Sequence, residues 1–258
     1  MVDWSPHPYL AEYAATAALV KKNWSRLHRG DQEPLPRDAR VLAAWALYHG
    51  GRYQEACEAG LAIGDVAGVL VANRATCVYA NFLEKKETVR LALFLQAAER
   101  AQEQLRREPD NPNAWYSQAY ALGRYSQGIS VAKALALGLG AKVKQALERT
   151  IALCPHHADA HVALGTFHAE VIDKVGPLIG GMTYGARRDI GRKMFETALA
   201  LHPDSPIALI EYAHGLMMLD GDRQLARATE LYGRAAQCRP ADATERLDVE
   251  LAKAELDE

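Results

Sequence analysis

The segment LALHPDSP at residues 199–206 nearly repeats the segment IALCPHHA at residues 151–158. In each segment a run of good helix formers ends at a proline, which cannot continue a helix. The polar residues that follow can accept hydrogen bonds from the free N–H groups of a new helix. Pro109 and Pro240 end similar phrases elsewhere in the chain. The pattern predicts helices that stop at prolines and start again after a short polar turn.

The rest of the 258 residues support an all-α fold. Alanine, leucine, arginine and glutamate dominate, whereas runs of β-branched residues are short and the alternation typical of strands is not sustained. Glycines and prolines fall mostly between segments of helical periodicity. A chain of this length buries a large core without disulfides or metals.

Several motifs resemble those of the tetratricopeptide-repeat (TPR) family, whose repeat is a helical hairpin of about 34 residues. The resemblance covers residues 38–240 and implies an all-α, TPR-like right-handed α-solenoid of about five helical hairpins. In such hairpins small residues let two helices approach, and aromatic residues fill the gap to the next hairpin. The clearest motifs are His161-x2-Leu164-Gly165-x2-His168, Gly191-x3-Phe195-x2-Ala198 and Ala228-x3-Tyr232-x2-Ala235.

We expect one domain over residues 1–258. Residues 1–37 should hold an N-terminal helix, over residues 8–29, and an extended linker. Residues 38–240 should hold the repeats. Residues 241–258 should form a capping helix, because terminal repeats need a polar outer face.

Two inserts with many glycines distinguish this chain from a regular repeat array. They lie inside the third and fourth hairpins, at Ser126–Gly140 and Asp173–Ala186, and we expect both to form long loops on one side of the solenoid. The first insert is apolar and should pack against the second or fill the concave groove. A membrane-surface role is the alternative, although its single lysine, Lys133, would attract anionic lipids only weakly.

The second insert is also a candidate anion site. Glycines there permit close backbone approach, and free N–H groups followed by two guanidinium groups could hold an acidic ligand. The alternative is a tight structural loop. The candidate residues are Gly176, Pro177, Gly180, Gly181, Tyr184, Arg187 and Arg188.

The sequence Gly176-Pro177-Leu178-x-Gly180-Gly181, with the helix that follows, is similar to the T-component proteins associated with TRAP-type transporters. That resemblance covers about 30 residues. It implies a helical repeat fold and a loop that holds a small, acidic or hydrophobic solute. No cysteine that could carry a lipid anchor lies near the start of the chain.

The TPR resemblance implies that the inner surface of the first helices binds a partner. The matching positions are aromatic and apolar, and Tyr116, Val162 and Ile210 stand where chaperone-binding members carry a lysine. We therefore expect a non-enzymatic scaffold that binds a protein or peptide in an apolar groove, with small-molecule binding as the alternative. The predicted wall residues are Asn113, Tyr116, Tyr120, Val162, Thr166, Ile210, His214 and Met217.

Other classes of function lack support in the sequence. Net charge is −2, without the basic excess of a nucleic-acid binder. No motif of nucleophilic catalysis is present, and we expect paired carboxylates to lie on solvated helix faces. His156, His157, His161 and His168 could hold zinc, but a packing role is the favoured interpretation, so no metal or cofactor is predicted. The absence of a signal peptide, of a transmembrane segment and of closely spaced cysteines favours the cytoplasm.

Overall fold

The computed structural model describes residues 4–257, and within that range every regular element is helical. The predicted all-α fold is confirmed. Residues 1–3 and 258 of the predicted domain lie outside the described residues. Residues 1–3 also begin the N-terminal segment that the signal-peptide prediction concerns. In chain order the helices are α1 (Ala17–Lys22), α2 (Trp24–Leu27), α3 (Ala39–His49), α4 (Tyr53–Ile63), α5 (Val66–Phe82), α6 (Glu87–Arg107), α7 (Pro112–Gln127), α8 (Val131–Ala136), α9 (Leu139–Leu153), α10 (Ala158–Tyr184), α11 (Arg188–Leu201), α12 (Pro206–Asp220), α13 (Leu225–Ala236) and α14 (Ala243–Asp257).

Ten of these helices form five antiparallel hairpins. The pairs are α3 with α4, α5 with α6, α7 with α9, α10 with α11, and α12 with α13. Each hairpin packs on the next, through the contacts of α4 with α5, α6 with α7, α9 with α10 and α11 with α12. Helix α14 packs on α13 and α12, as a capping helix should.

The polar turns after the prolines start the next helices in the predicted way. The side chains of Asn111, His157 and Ser205 each accept a hydrogen bond from a backbone N–H in the first turn of the helix that follows. Because these side chains satisfy N–H groups that have no partner within the helix, they fix where α7, α10 and α12 begin.

Phe195 shows why small residues recur in the hairpins. Its fully buried ring lies against Gly165 of its own hairpin and Gly215 of the next, and it stacks on Tyr212 at 5.1 Å between ring centroids. A Cβ atom on Gly215 would lie 2.4 Å from the Phe195 ring. The two glycines therefore make room for the aromatic side chain that joins the fourth and fifth hairpins.

The N-terminal segment differs from the expected single helix over residues 8–29. A 3₁₀ turn at Leu10–Glu12 is followed by the short helices α1 and α2. The side chain of Thr16 caps α1, and the side chain of Asn23 bonds the carbonyl of Leu19 at the end of that helix. These local hydrogen bonds favour turns over a continuous helix.

Both inserts are helical, so the expectation of two long loops was wrong. The first insert contains α8, and the second continues α10 to Tyr184 with a break at Gly176, where φ is +81°. Gly180 is buried, and a Cβ atom there would lie 2.9 Å from Val171. The glycines of the second insert thus serve a kink and a close packing contact.

The end of the solenoid meets its beginning. Helix α14 contacts α3, and His7 Nε2 donates to the carbonyl of Ala243 at 2.8 Å. The Tyr53 and Thr244 hydroxyls lie 3.0 Å apart. The N-terminal segment also contacts the fourth hairpin, where the Asp159 N–H donates to the Gly30 carbonyl at 3.1 Å. The array is therefore a closed ring.

Candidate functional site: an inner chamber

The ring encloses a cavity of about 350 Å³, which we call the chamber. Its wall is built mainly from the first helix of each hairpin, namely α3, α5, α7, α10 and α12, together with α14. The inserts contribute Ile129, Val131, Leu135 and Tyr184. The chamber is thus the inner surface that sequence reasoning expected to be a groove.

Charged side chains gather where the ring closes, and we call this part of the wall the polar end. Arg74 Nη2 lies 2.8 Å from Asp31 Oδ2 and 4.0 Å from Asp159 Oδ2. Burial of the guanidinium group is tolerable because these carboxylates accompany it. The polar end consists of Asp31, Arg74, Asp159, Asp242, Glu245 and Asp248.

A chain of hydrogen bonds runs across the polar end from Asp31 to Asp242. His28 Nδ1 lies 3.0 Å from Asp31, the Nε2 atoms of His28 and His49 lie 3.2 Å apart, and His49 Nδ1 lies 2.6 Å from Asp242. Each imidazole can donate through Nδ1 to its carboxylate, which leaves the two Nε2 atoms facing each other. The two imidazole rings therefore link the two carboxylates across the polar end.

Burial changes the acidity of the remaining carboxyls at the polar end. Burial and the charges of neighbouring acids raise the pKa of Asp248 well above its usual range. Burial and Asp242 raise the pKa of Glu245 to about 7, and burial raises the pKa of Asp159 to about 6 despite Arg74. By contrast, His28 and Arg74 outweigh the burial of Asp31 and hold its pKa well below the usual range.

A separate ion pair lies farther along the wall. Arg124 Nη2 lies 2.8 Å from Glu211 Oε1, and the Thr166 hydroxyl donates to Glu211 Oε2 at 3.0 Å. The Arg124 guanidinium also lies 5.3 Å from the centroid of the Tyr120 ring. This pair is balanced in charge and satisfied in hydrogen bonds.

The opposite part of the wall, beside the inserts, is mainly apolar, and we call it the apolar end. Along α10 the lining changes from the charged Asp159 to the apolar Val171 and Val175. Asp159 and Val175 are about 24 Å apart along the helix at 1.5 Å per residue. Lys174 and Glu170 form an ion pair among the lining residues of this part of α10. The apolar end is lined by Phe82, Ile129, Val131, Leu135, Val171 and Val175.

The predicted wall residues divide between the chamber and other surroundings. Tyr116, Tyr120, Val162 and Thr166 line the chamber. Asn113 is buried behind the wall, where its amide donates to Glu33 and to the Asp31 carbonyl and accepts from His157.

On α12 the face toward the chamber differs from the predicted one. Ile207 and Glu211 line the chamber, whereas Ile210 and Met217 belong to the core shared with α14. His214 Nε2 lies 3.5 Å from Glu255 of α14. The capping helix therefore covers the α12 positions that would face a ligand in an open solenoid.

The candidate anion-site residues are not gathered around one empty site. Tyr184 lines the chamber, while Arg187 pairs with Asp189 and Arg188 lies 3.8 Å from Asp220. Gly176, Pro177, Gly180 and Gly181 lie in the helical part of the second insert, and the Gly180 and Gly181 carbonyls accept hydrogen bonds from the C-terminal turn. Anion binding by these residues stays a prediction.

The histidines considered for zinc have packing and capping roles. His157 Nδ1 accepts from the Ala160 N–H, and burial lowers the pKa of His157 to about 3. His161 Nε2 donates to the Pro155 carbonyl at 3.0 Å, and His168 Nδ1 accepts from the Arg187 N–H at 3.3 Å. Among residues 4–257, no group of three or more histidine, cysteine, aspartate or glutamate residues is arranged to hold a metal ion.

Comparison with solved structures places this geometry among known folds. The thermophilic TPR protein TTC0263 of Thermus thermophilus aligns with 83% of this chain and 97% of its own, at 19% identity and a TM-score of 0.58. The chain has the TPR fold. The MamA MSR-1 C2 structure, at 16% identity, covers 81% of this chain and 98% of its own, with a TM-score of 0.44. YrrB, described as a TPR protein with an unusual peptide-binding site, covers 90% of this chain and 97% of its own, at 13% identity and a TM-score of 0.41.

A family model also matches part of this TPR-fold chain. The model describes regulators of microtubule dynamics, proteins 1–3, and it matches residues 62–174. That range runs from the end of α4 to the first part of α10 and holds Arg74, Arg124 and Asp159 of the chamber wall. No curated protein matches the sequence, and no T-component protein is among the matches described here.

Sequence reasoning on the TPR pattern missed the charged wall of the chamber. The prediction considered only paired carboxylates on solvated helix faces and did not foresee single buried ones, whereas Glu211 and Asp248 are buried and line the chamber. Both residues follow the helical spacing of their core neighbours, and that spacing was the available signal. In residues 4–257 no helix is both long enough and apolar enough to cross a membrane.

Proposed function

We propose that this chain is a non-enzymatic TPR-like scaffold whose chamber binds a small amphipathic molecule. The observation that carries the proposal is the uneven polarity of the chamber, with a cluster of charged side chains at the polar end and mainly apolar side chains, beside the Lys174–Glu170 pair, at the apolar end. A volume of 350 Å³ lies within the range of small-molecule sites, about 300–1,000 Å³. Apolar walls with a few convergent polar groups are typical of such sites.

Closure of the ring favours a small molecule over a helix or an extended peptide inside the chamber. An open TPR groove accepts a partner along its length, whereas here α14 and the N-terminal segment occupy the end of the inner surface. Ile210, His214 and Met217, three of the positions expected to contact a partner, pack with α14 or lie beside it.

The proposal can be tested with three eight-carbon probes that differ only in the polar head: octanol, octylamine and octanoate. We expect at least one of them to raise the Tm of the full-length chain in a saturable manner. A ligand present at 100 times its Kd adds about 2.7 kcal/mol to the free energy of unfolding, which is a shift of several degrees.

A variant that fills the chamber provides the specificity control. Ala163 is half-buried and lines the chamber, so Ala163→Phe should place a ring in the cavity and abolish the Tm shift. The matched control is Ala226→Phe, on the exposed face of α13, which should keep the shift. Absence of a shift with all three probes, or equal shifts in the wild type and Ala163→Phe, would refute the proposed function.

A protein partner on the outside of the ring is the second candidate. Leu178, Ile179 and Met182 of the second insert are 74%, 59% and 83% exposed, and large exposed apolar side chains in one cluster are typical of interaction surfaces. The partial match to regulators of microtubule dynamics makes tubulin the first partner to test. Co-sedimentation with microtubules should be reduced by Leu178→Gln with Met182→Gln, and no co-sedimentation of the wild type would exclude tubulin.

A further inference from the structure

We propose that the polar end of the chamber binds a protonated amine, so that the ligand is an apolar chain or ring with one positively charged nitrogen. The inference rests on the proposed function and names the class of ligand for the same site. Three independent features support it: the charge balance, a carboxyl group without a partner, and an amide group without partners.

The charge balance at the polar end favours a cation. Its five carboxyls face one guanidinium group, that of Arg74, and the imidazole rings of His28 and His49. These basic groups contact Asp31 and Asp242 directly. Asp159, Glu245 and Asp248 are left without a basic side chain in close contact, since Arg74 approaches Asp159 only to 4.0 Å. A bound ammonium group would pair with one of these carboxyls and favour its ionised form.

Asp248 is the carboxyl best placed to receive the ammonium group. Its side chain projects from α14 into the chamber wall, the residue is only 4% exposed, and within residues 4–257 it makes no hydrogen bond or ion pair. A buried carboxyl is costly unless it is paired or neutralised. Burial and the neighbouring acids raise its pKa and disfavour the ionised form, which a bound cation would stabilise.

Asn73 provides the independent observation, from α5 on another part of the wall. It is 0% exposed and lines the chamber, yet among the described residues neither Oδ1 nor Nδ2 has a hydrogen-bond partner. Buried amides are nearly always paired, so an unpaired one in a ligand-sized cavity indicates a missing partner. An ammonium group has three N–H donors, so it can pair with a carboxylate and still donate to an amide carbonyl oxygen.

The three octyl probes also test this inference, with affinities measured by isothermal titration calorimetry at pH 8. We expect octylamine to bind at least ten times more tightly than octanol, and octanoate to bind more weakly than octanol. Asp248→Asn should reduce the affinity for octylamine at least tenfold and leave that for octanol unchanged. Asp257→Asn, an exposed carboxyl at the end of the same helix, is the matched control and should change neither affinity.

The outcomes separate this inference from the proposed function. If octanoate or octanol binds as tightly as octylamine, or if Asp248→Asn leaves octylamine binding unchanged, the amine site is refuted while the chamber remains a binding site. If no probe binds, both proposals fail. Circular dichroism of Asp248→Asn, expected to match that of the wild type, shows that a loss of affinity is not a loss of fold.

Discussion

His49 Nδ1 lies 2.6 Å from Asp242 Oδ2, although the two residues are 193 positions apart in the sequence. His49 ends α3 in the first hairpin, and Asp242 immediately precedes α14. Both side chains are buried, and burial lowers the pKa of His49 even though Asp242 opposes that change. This contact is a direct link between the two ends of the array.

The link should contribute measurably to stability. We expect His49→Leu and Asp242→Ser each to lower the free energy of unfolding by about 2 kcal/mol, because each leaves a buried polar partner unsatisfied. Serine can still cap α14, where Asp242 accepts from the Glu245 N–H, but it cannot reach His49. Urea unfolding of both variants and the double variant should give a coupling energy of about 1 kcal/mol or more. Additive effects would show that the two residues act separately.

Glycines in the helices should respond in opposite ways to alanine, according to their surroundings. Gly215→Ala should lower the free energy of unfolding by about 1–3 kcal/mol, because the new Cβ atom would overlap the Phe195 ring. Gly233→Ala, where a Cβ atom meets nothing within 4 Å, should raise it by about 0.5–1 kcal/mol through helix propensity. Thermal and urea unfolding measure both. Similar effects at the two sites would contradict the packing around Phe195.

The stability of the ligand-free protein should depend on Glu245 near neutral pH. Its pKa rises from an ordinary 4.5 to about 7 on folding, so the folded state holds a proton that the unfolded state has lost. Stability from this group is complete below pH 4.5 and is lost as the pH rises through 7. Glu245→Gln should therefore gain stability relative to the wild type, by about 1 kcal/mol or more, between about pH 5.5 and 8.5.

Comparison with the variant is needed because other groups near Glu245 and elsewhere also titrate. Asp159, Asp242, Asp248 and Arg26 act on Glu245 directly. Buried histidines such as His157, whose pKa is lowered to about 3, raise stability as the pH rises toward 6.5. Urea unfolding at several pH values isolates the contribution of Glu245, and a pH-independent difference between variant and wild type would contradict the prediction.

The Asn73 side chain should lower the stability of the ligand-free protein and strengthen ligand binding. We expect Asn73→Leu to raise the free energy of unfolding of the ligand-free protein by about 1 kcal/mol, because it replaces an unpaired buried amide with an apolar group of similar size. The same change should weaken octylamine binding. A loss of stability in thermal unfolding would mean that the amide is satisfied in solution.

The exposed face of the second insert should be dispensable for folding. Leu178→Gln together with Met182→Gln should change the free energy of unfolding by less than about 0.5 kcal/mol, because both side chains are largely exposed. Binding of a hydrophobic fluorescent dye should fall. Leu61→Gln, at an isolated exposed leucine on α4, is the control and should leave dye binding unchanged. A large loss of stability would show that the insert is part of the core.

The five hairpins could be predicted from the sequence because their signals are local. Prolines 109, 155 and 203 stop helices, and Asn111 and Ser205 start the next ones, through hydrogen bonds within a few residues. The spacing of Gly165 and Phe195 in the repeat motifs likewise predicted that the helices pack closely. Such features need no knowledge of distant contacts.

The chamber could not be predicted in the same way because its chemistry comes from ring closure. Asp31, Asp242 and Asp248 look like ordinary surface acids until the linker and α14 meet across the ring. The glycines of the second insert were also ambiguous. A kink, as at Gly176, and a close packing contact, as at Gly180, require glycine just as a flexible loop does. Only long-range geometry separates these alternatives.

Closure also limits how this chain can change in length. In an open array a hairpin can be gained or lost at either terminus with little effect on distant units, because each unit depends only on its neighbours. Here an extra hairpin would carry Asp242 away from His49, and deletion of α14 would expose the first hairpin as well as the last. The number of hairpins is thus fixed by the geometry of the circle, and the whole chain should unfold as one cooperative unit.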